Sequence, residues 1–202
     1  MIAVIDYGMG NLDSVCKALA FCGGSFELIG TPEKLDRFHG VLLPGVGHFG
    51  DGMENLRSRG FDRALQQWDA AGKPLGGICL GMQMMLESSE EAPGVSGLGL
   101  IRGRVRRFPS GGLKVPQIGW NSVVRTTPHP VTAHTADGEF FYFVHSYYAE
   151  LADPAEMVLQ CEYILPFAAA IGRKNLFATQ FHPEKSQQAG LDLLRHFIGF
   201  CR

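Results

Sequence analysis

No stretch of this sequence approaches the roughly 18 consecutive apolar residues a membrane helix needs, and no basic region or small-residue cleavage site accompanies the short apolar run from Met1 to Asp6. The expectation is a soluble, cytoplasmic chain with no membrane association. Surplus charge of either sign is also missing. Eighteen Lys and Arg against twenty Asp and Glu leave a formal net charge of −2, which argues against general affinity for nucleic acid or acidic lipid. Five scattered cysteines (Cys16, Cys22, Cys79, Cys161, Cys201) form no C-x-x-C pair, so neither a disulfide framework nor a zinc site is expected, and no metal or cofactor is assigned. Internal repeats and linkers are absent as well. With 46% hydrophobic residues over 202 positions, the chain can bury one sizeable core, and a single domain over residues 1–202 is the expectation.

The first half alternates short apolar runs with helical patterns. Met1 to Asp6 reads as a buried strand, and Phe26 to Ile29, Val41 to Leu43 and Leu75 to Ile78 read as further strands. Between them, Asn11 to Cys22 reads as a helix, Thr31-Pro32-Glu33-Lys34 carries the signals of a helix start, and Gly52 to Ala71 is helical with a break near Gly60. Such alternation predicts a parallel sheet with right-handed crossovers. After Ser88 to Gly99, where Pro93, Gly94 and Gly97 break every pattern, strands dominate: Gly99 to Phe108, Ile118 to Val124, Glu139 to Val144, Met157 to Tyr163, Ala168 to Gly172 and Leu176 to Gln180. A closing helix runs from Ser186 to Phe200. The fold class is therefore α/β, a central mostly parallel sheet flanked by helices with antiparallel strands added in the second half, both halves sharing one sheet system.

One cysteine stands apart. In Pro74-Leu75-Gly76-Gly77-Ile78-Cys79-Leu80-Gly81-Met82-Gln83 an apolar strand breaks at Cys79 and a helical pattern follows. A thiol is nucleophilic as the thiolate, which a helix N-terminus and a nearby imidazolium both favour. Gly76, Gly77 and Gly81 permit the strained turn that would expose such a nucleophile, as in the serine elbow of hydrolases. On this segment alone, a reactive cysteine and a buried, inert one are equally good readings.

Phe181-His182-Pro183-Glu184-Lys185 supplies the missing partners. Pro183 keeps His182 out of helical conformation, and on an extended segment residues two apart share a face, so Glu184 is spaced to orient the His182 imidazole. The other six histidines (His39, His48, His129, His134, His145, His196) read mostly as structural.

The Gly77 to Gln83 and Phe181 to Glu184 segments together resemble the class I, or triad, glutamine amidotransferase family, whose fold is flavodoxin-like. The resemblance implies that Cys79 attacks the side-chain amide of L-glutamine, His182 handles the protons and Glu184 holds the imidazole. Oxyanion donors are expected at the Leu80 N–H and at Val46 or Gly47 in Pro44-Gly45-Val46-Gly47. Because β-branched Val46 resists positive φ, the hole is expected to form only when a partner or ligand turns this loop.

Four further segments, Asp6 to Leu12, Leu43 to Met53, Lys114 to Asn121 and Phe141 to Tyr148, are similar to the glutaminase subunits of imidazole glycerol phosphate synthase, and the likeness spans essentially the whole chain. It implies a heterodimer with a (β/α)8-barrel cyclase subunit that uses the ammonia to form imidazole glycerol phosphate and aminoimidazole carboxamide ribonucleotide in histidine biosynthesis. It further implies glutamine contacts at Gly47, Gln83, Ser146 and Tyr147, and a docking face including Asn11, Trp120, Tyr142 and Lys185. Two positions depart from the family pattern: Gln117 stands where histidine is usual, and Phe140 where tyrosine can occur. The rival readings are glutaminase subunits of pyridoxal phosphate or anthranilate synthase, against which the Gly-Trp-Asn and Phe-Val-His-Ser-Tyr segments argue, and a flavodoxin-like cysteine protein that is no glutaminase.

Overall fold

The computed structural model describes residues 1–202. Its strands are β1 (Ile2–Ile5), β2 (Phe26–Ile29), β3 (Gly40–Gly45), β4 (Leu75–Cys79), β5 (Ser88–Ser89), β6 (Gly103–Arg107), β7 (Gln117–Arg125), β8 (Glu139–His145), β9 (Tyr147–Leu151), β10 (Met157–Glu162), β11 (Pro166–Arg173) and β12 (Leu176–Thr179). The helices are α1 (Leu12–Phe21), α2 (Phe49–Ser58), α3 (Phe61–Ala70), α4 (Leu80–Met84) and α5 (Gln187–Phe200). Nine strands form one sheet in the order β2-β1-β3-β4-β12-β11-β10-β7-β8. From β2 to β12 every pairing is parallel, and from β12 to β8 every pairing is antiparallel.

Both faces of this sheet are covered, as continuous apolar strands require. On β1 the side chains alternate: Ala3 and Ile5 join a core with α2 and α3 (Phe49, Met53, Leu56, Phe61, Leu65, Trp68). Ile2 and Val4 join a second core with α1 and α5 (Val15, Leu19, Leu194, Phe197). The period of two along the strand thus sorts one run into two layers. The break expected near Gly60 is real, because Gly60 takes a left-handed conformation (φ +76°) and separates α2 from α3.

Two expectations need correction. No α-helix follows Thr31-Pro32; the segment makes only a 3₁₀ turn, Leu35–Arg37, whose Leu35 and neighbouring Phe38 are buried. Only ten residues separate β2 from β3, too few for an ordinary helix with its connections. The two halves share the nine-stranded sheet as expected, but not every later strand belongs to it. β9 was not foreseen; it pairs antiparallel with β6, and β5 adds to β6, making a separate three-stranded sheet. The cause is Ser146, where the chain leaves β8 and turns onto β9, so one aromatic run serves two sheets.

Candidate active site

β4 delivers Cys79 to the sheet's carboxyl edge, where α4 begins at the next residue. Cys79 has φ +53° and ψ −108°, a conformation costing roughly 1–3 kcal/mol in a non-glycine residue. That strain is possible because the surroundings hold it. Gly81 packs so tightly on the Leu43 carbonyl, and Gly76 on the Phe197 ring, that neither position has room for a Cβ. The elbow expected from the glycines is therefore present, with Cys79 only 7% exposed.

β12 runs parallel to β4 with Thr179 opposite Ile78, so residues just beyond each strand emerge side by side. His182 follows β12 in an extended conformation (φ −99°, ψ 97°), and Pro183 starts the 3₁₀ turn Pro183–Lys185. Its Nδ1–H donates to Glu184 Oε1 at 2.7 Å, with both side chains almost wholly buried. His182 Nε2 has no hydrogen-bond partner and borders the cavity that Cys79 also lines. Burial draws the imidazole pKa down, but the Cys79 sulfur and the Glu184 carboxylate outweigh it, leaving His182 raised to about 9.

This cavity, about 410 Å³, is walled by Val46, Gly47, Cys79, Leu80, Gln83, Glu91, Pro116, Val144, His145, Ser146, Tyr147 and His182. Every residue expected as an oxyanion donor or a glutamine contact thus lines this one cavity. Gly47 has φ +107°, a backbone conformation that favours glycine; the 2.8 Å approach of a Cβ to Met9 Cε adds little, because that flexible side-chain end can move aside. Val46 is exposed and avoids positive φ, leaving the turn to Gly47. Gln83 Nε2 donates to the Tyr147 carbonyl (3.2 Å) and to Gln180 Oε1 (3.0 Å).

Asn11, Trp120, Tyr142 and Lys185 lie outside the cavity. Asn11 caps α1, its Oδ1 accepting from the Ser14 N–H, and Lys185 is exposed. Trp120 and Tyr142 face each other across β7 and β8 with ring centroids 6.2 Å apart in an edge-on arrangement. No three His, Cys, Asp or Glu side chains gather as a metal-ligand set.

Three residues at the site escaped the sequence reading. Gln180, wholly buried, points its amide at Cys79 Sγ (3.7 Å). Glu91 brings a carboxylate to the cavity wall and accepts the Phe49 N–H at 2.8 Å. His145 was read as structural, yet it lines the cavity; its Nδ1 donates to the Tyr147 carbonyl at 2.7 Å and burial lowers its pKa to about 4, so it is neutral. Gln117 stands opposite His145 in the sheet, buried, with an unpartnered Oε1. A polar residue ending an apolar strand, as Gln180 does, is the signal that was available.

Residues 3–199 match the family "Glutamine amidotransferase class-I". The chain is 47% identical over 203 residues to the imidazole glycerol phosphate synthase subunit HisH of Methanosarcina mazei, covering 99% of this chain and 98% of that protein. It is 48% identical over 207 residues to the subunit of the same name from Halobacterium salinarum, covering 99% and 93%. Among solved structures, a glutamine amidotransferase superposes with a TM-score of 0.79 at 17% identity, covering 100% of this chain and 99% of that one. PurLQS from Thermotoga maritima gives 0.79 at 21%, covering 100% and 98%. These two likenesses bear on the fold. The sequence matches, over nearly the full length, go further: the chain belongs to the class I glutamine amidotransferases, in the family of the imidazole glycerol phosphate synthase subunit HisH.

Proposed function

We propose that this chain, acting in the cytoplasm as one domain over residues 1–202, hydrolyses L-glutamine to glutamate and ammonia at Cys79 and hands the ammonia to a (β/α)8-barrel cyclase subunit. The observation that carries the reading is a sulfur and an imidazole lining one cavity, the imidazole fixed by a 2.7 Å bond to the Glu184 carboxylate behind it.

The steps follow from the atoms available. With its proton on His182, Cys79 Sγ attacks the carboxamide carbon, and negative charge moves to the amide oxygen. Main-chain N–H groups at Leu80 and at Val46 or Gly47 are the donors for that oxyanion, each worth about 10²- to 10³-fold in rate. His182 gives its proton to the departing nitrogen, the C–N bond breaks, and a thioester remains on Cys79. Water, deprotonated by His182, then opens the thioester to glutamate. Because the Glu184 bond holds the proton on Nδ1, Nε2 is the nitrogen that exchanges protons with sulfur, amine and water.

Binding of the substrate's amino-acid end uses other residues of the same cavity lining. The Gln83 N–H groups are both committed, so its Oε1 is the atom left for the ligand. Together with the Glu91 carboxylate it suits an α-ammonium, while Ser146 and Tyr147 adjoin the α-carboxylate.

Ammonia released into neutral water would be protonated, so delivery needs a docked synthase. The outer face of β7 and β8 supports one: Ile118, Trp120, Val124 and Phe140 are exposed there, 62%, 45%, 45% and 56%, with Tyr142 beside Trp120. Asn11 and Lys185 complete the docking surface in this reading.

The deciding experiment is a glutaminase assay with and without the barrel subunit and its nucleotide ligand. Strong stimulation by both is expected. Absence of hydrolysis in every mixture would overturn the enzyme assignment, and full activity of the isolated chain would overturn partner-dependent formation of the oxyanion hole.

A further inference from the structure

We propose that Gln180 is a positioning residue for the nucleophile: its carboxamide N–H donates to Cys79 Sγ and favours the thiolate. The proposal rests on the reading of Cys79 as the attacking group. Gln180 is completely buried at the end of β12, its main-chain N–H bonded to the Ala169 carbonyl at 2.8 Å, and its Nε2 lies 3.7 Å from the sulfur. That is hydrogen-bonding distance for an atom as large as sulfur.

The direction of this bond is fixed from a distance. The Tyr147 main-chain carbonyl can only accept, so the Gln83 amide must present its NH₂ there, 3.2 Å away. The same NH₂ lies 3.0 Å from the Gln180 amide, which must therefore offer its oxygen. What remains for the sulfur is the Gln180 NH₂. A main-chain carbonyl that cannot flip thus orients two side-chain amides in series and ends the series in a donor at the nucleophile.

Such a bond gains strength as charge develops on its acceptor. To a neutral thiol an amide N–H is a weak partner, and to a thiolate it is charge-assisted. Gln180 therefore acts most in the ionised state that attacks the substrate. Burying a polar amide is unfavourable unless its atoms are bonded, and a leucine of comparable size would serve a purely structural place. Gln83 also lines the cavity, so a cation arriving at its Oε1 polarises the same series towards Cys79.

The test uses the full-length chain and the variants Gln180→Leu and Gln180→Glu. Alkylation by iodoacetamide is followed from pH 6 to pH 9, with Cys79 resolved from the other cysteines by mass spectrometry. Gln180→Leu is expected to slow Cys79 alkylation near neutral pH by about 10- to 100-fold and to move the curve to higher pH, the loss expected for a hydrogen bond to a charged group. In glutamine hydrolysis by the complex, kcat falls by a similar factor with KM little changed. In Gln180→Glu the Gln83 N–H groups keep an acceptor while an oxygen replaces the donor at sulfur, so Cys79 reacts more slowly than in Gln180→Leu at high pH. That gap narrows as the new carboxyl protonates. Variant curves that superimpose on the wild-type curve overturn the proposal, and Gln180→Glu keeps it testable if the leucine variant does not fold. A wild-type Cys79 no more reactive than the partly exposed Cys16 and Cys22 would instead overturn the nucleophile reading.

Discussion

The main-chain N–H of His182 donates to the carbonyl of Tyr142 at 3.0 Å. Ser186 closes the loop, its Oγ accepting the Tyr142 N–H at 3.0 Å and donating to the His182 carbonyl at 2.6 Å. The segment carrying the imidazole is therefore stitched to β8, the edge strand whose outer face presents Tyr142 beside Trp120. A protein docked on that face touches the backbone that positions the triad, so binding and chemistry share one rigid element.

Replacing Cys79 with alanine separates the two halves of the proposed reaction. Glutamine-dependent synthesis by the complex should fall by about 10⁴-fold or more, as when a nucleophile is removed. Synthesis from added ammonium should persist, because the barrel's chemistry needs only ammonia. Loss of both activities would make Cys79 structural.

Stability should depend on pH through His182. Its pKa rises from an ordinary 6.5 to about 9 in the folded chain, through Cys79 and Glu184 against the opposing effect of burial. Below 6.5 both folded and unfolded forms hold the proton and the stabilisation is complete. Between 6.5 and about 9 only the folded form holds it, so stability falls as pH rises, by at most about 1.4 kcal/mol per pH unit from this group. Urea unfolding from pH 6 to pH 10 reads this slope, which should flatten in His182→Asn. An unchanged slope in the variant assigns the dependence to other groups.

Two substitutions in one loop should act in opposite directions. Gly47→Ala forces a side chain onto a φ of +107°, displacing the loop that supplies an oxyanion donor. Its kcat should drop about 10²- to 10³-fold, with the melting temperature much less affected. Val46→Gly removes the β-branch that opposes a turn of the same loop, and should raise glutaminase turnover in the absence of partner. If Val46→Gly leaves that basal rate where it was, side-chain restraint at Val46 is not what limits it.

Trp120 offers a test of the docking face. At 45% exposure it contributes little to the core, so Trp120→Ala should leave the isolated chain folded. Affinity for the barrel subunit should weaken by about 2 kcal/mol or more, roughly 30-fold in Kd, as for a central aromatic anchor. Titration calorimetry measures both; an unaltered Kd would move the interface elsewhere.

Local order in the chain was enough for much of this. The elbow at Cys79 followed from glycines flanking a cysteine at the end of an apolar run, and the His182–Glu184 bond from a two-residue spacing with proline between. Where local signals were weak, reading failed. β9 shares its aromatic sequence with β8 and is distinguished only by its pairing with β6, a contact forty or more residues distant in sequence. The segment after β2 carried genuine helix-start chemistry, but the short reach to β3 overrode it.

The sequence by itself determined the chemical parts: a thiol on a strained turn, an imidazole with its carboxylate, and the continuous apolar run that makes β1 a buried strand. Only the tertiary structure decided that the parts meet. Parallel pairing of β12 with β4 carries His182 to Cys79 across more than a hundred residues, because sheet register aligns strand ends whatever their separation along the chain. The same register sets Gln180 beside Cys79, and the turn at Ser146 brings the Tyr147 carbonyl to Gln83. The last two contacts are hydrogen bonds, the meeting of all these groups depends on the sheet, and no spacing in the sequence encodes it.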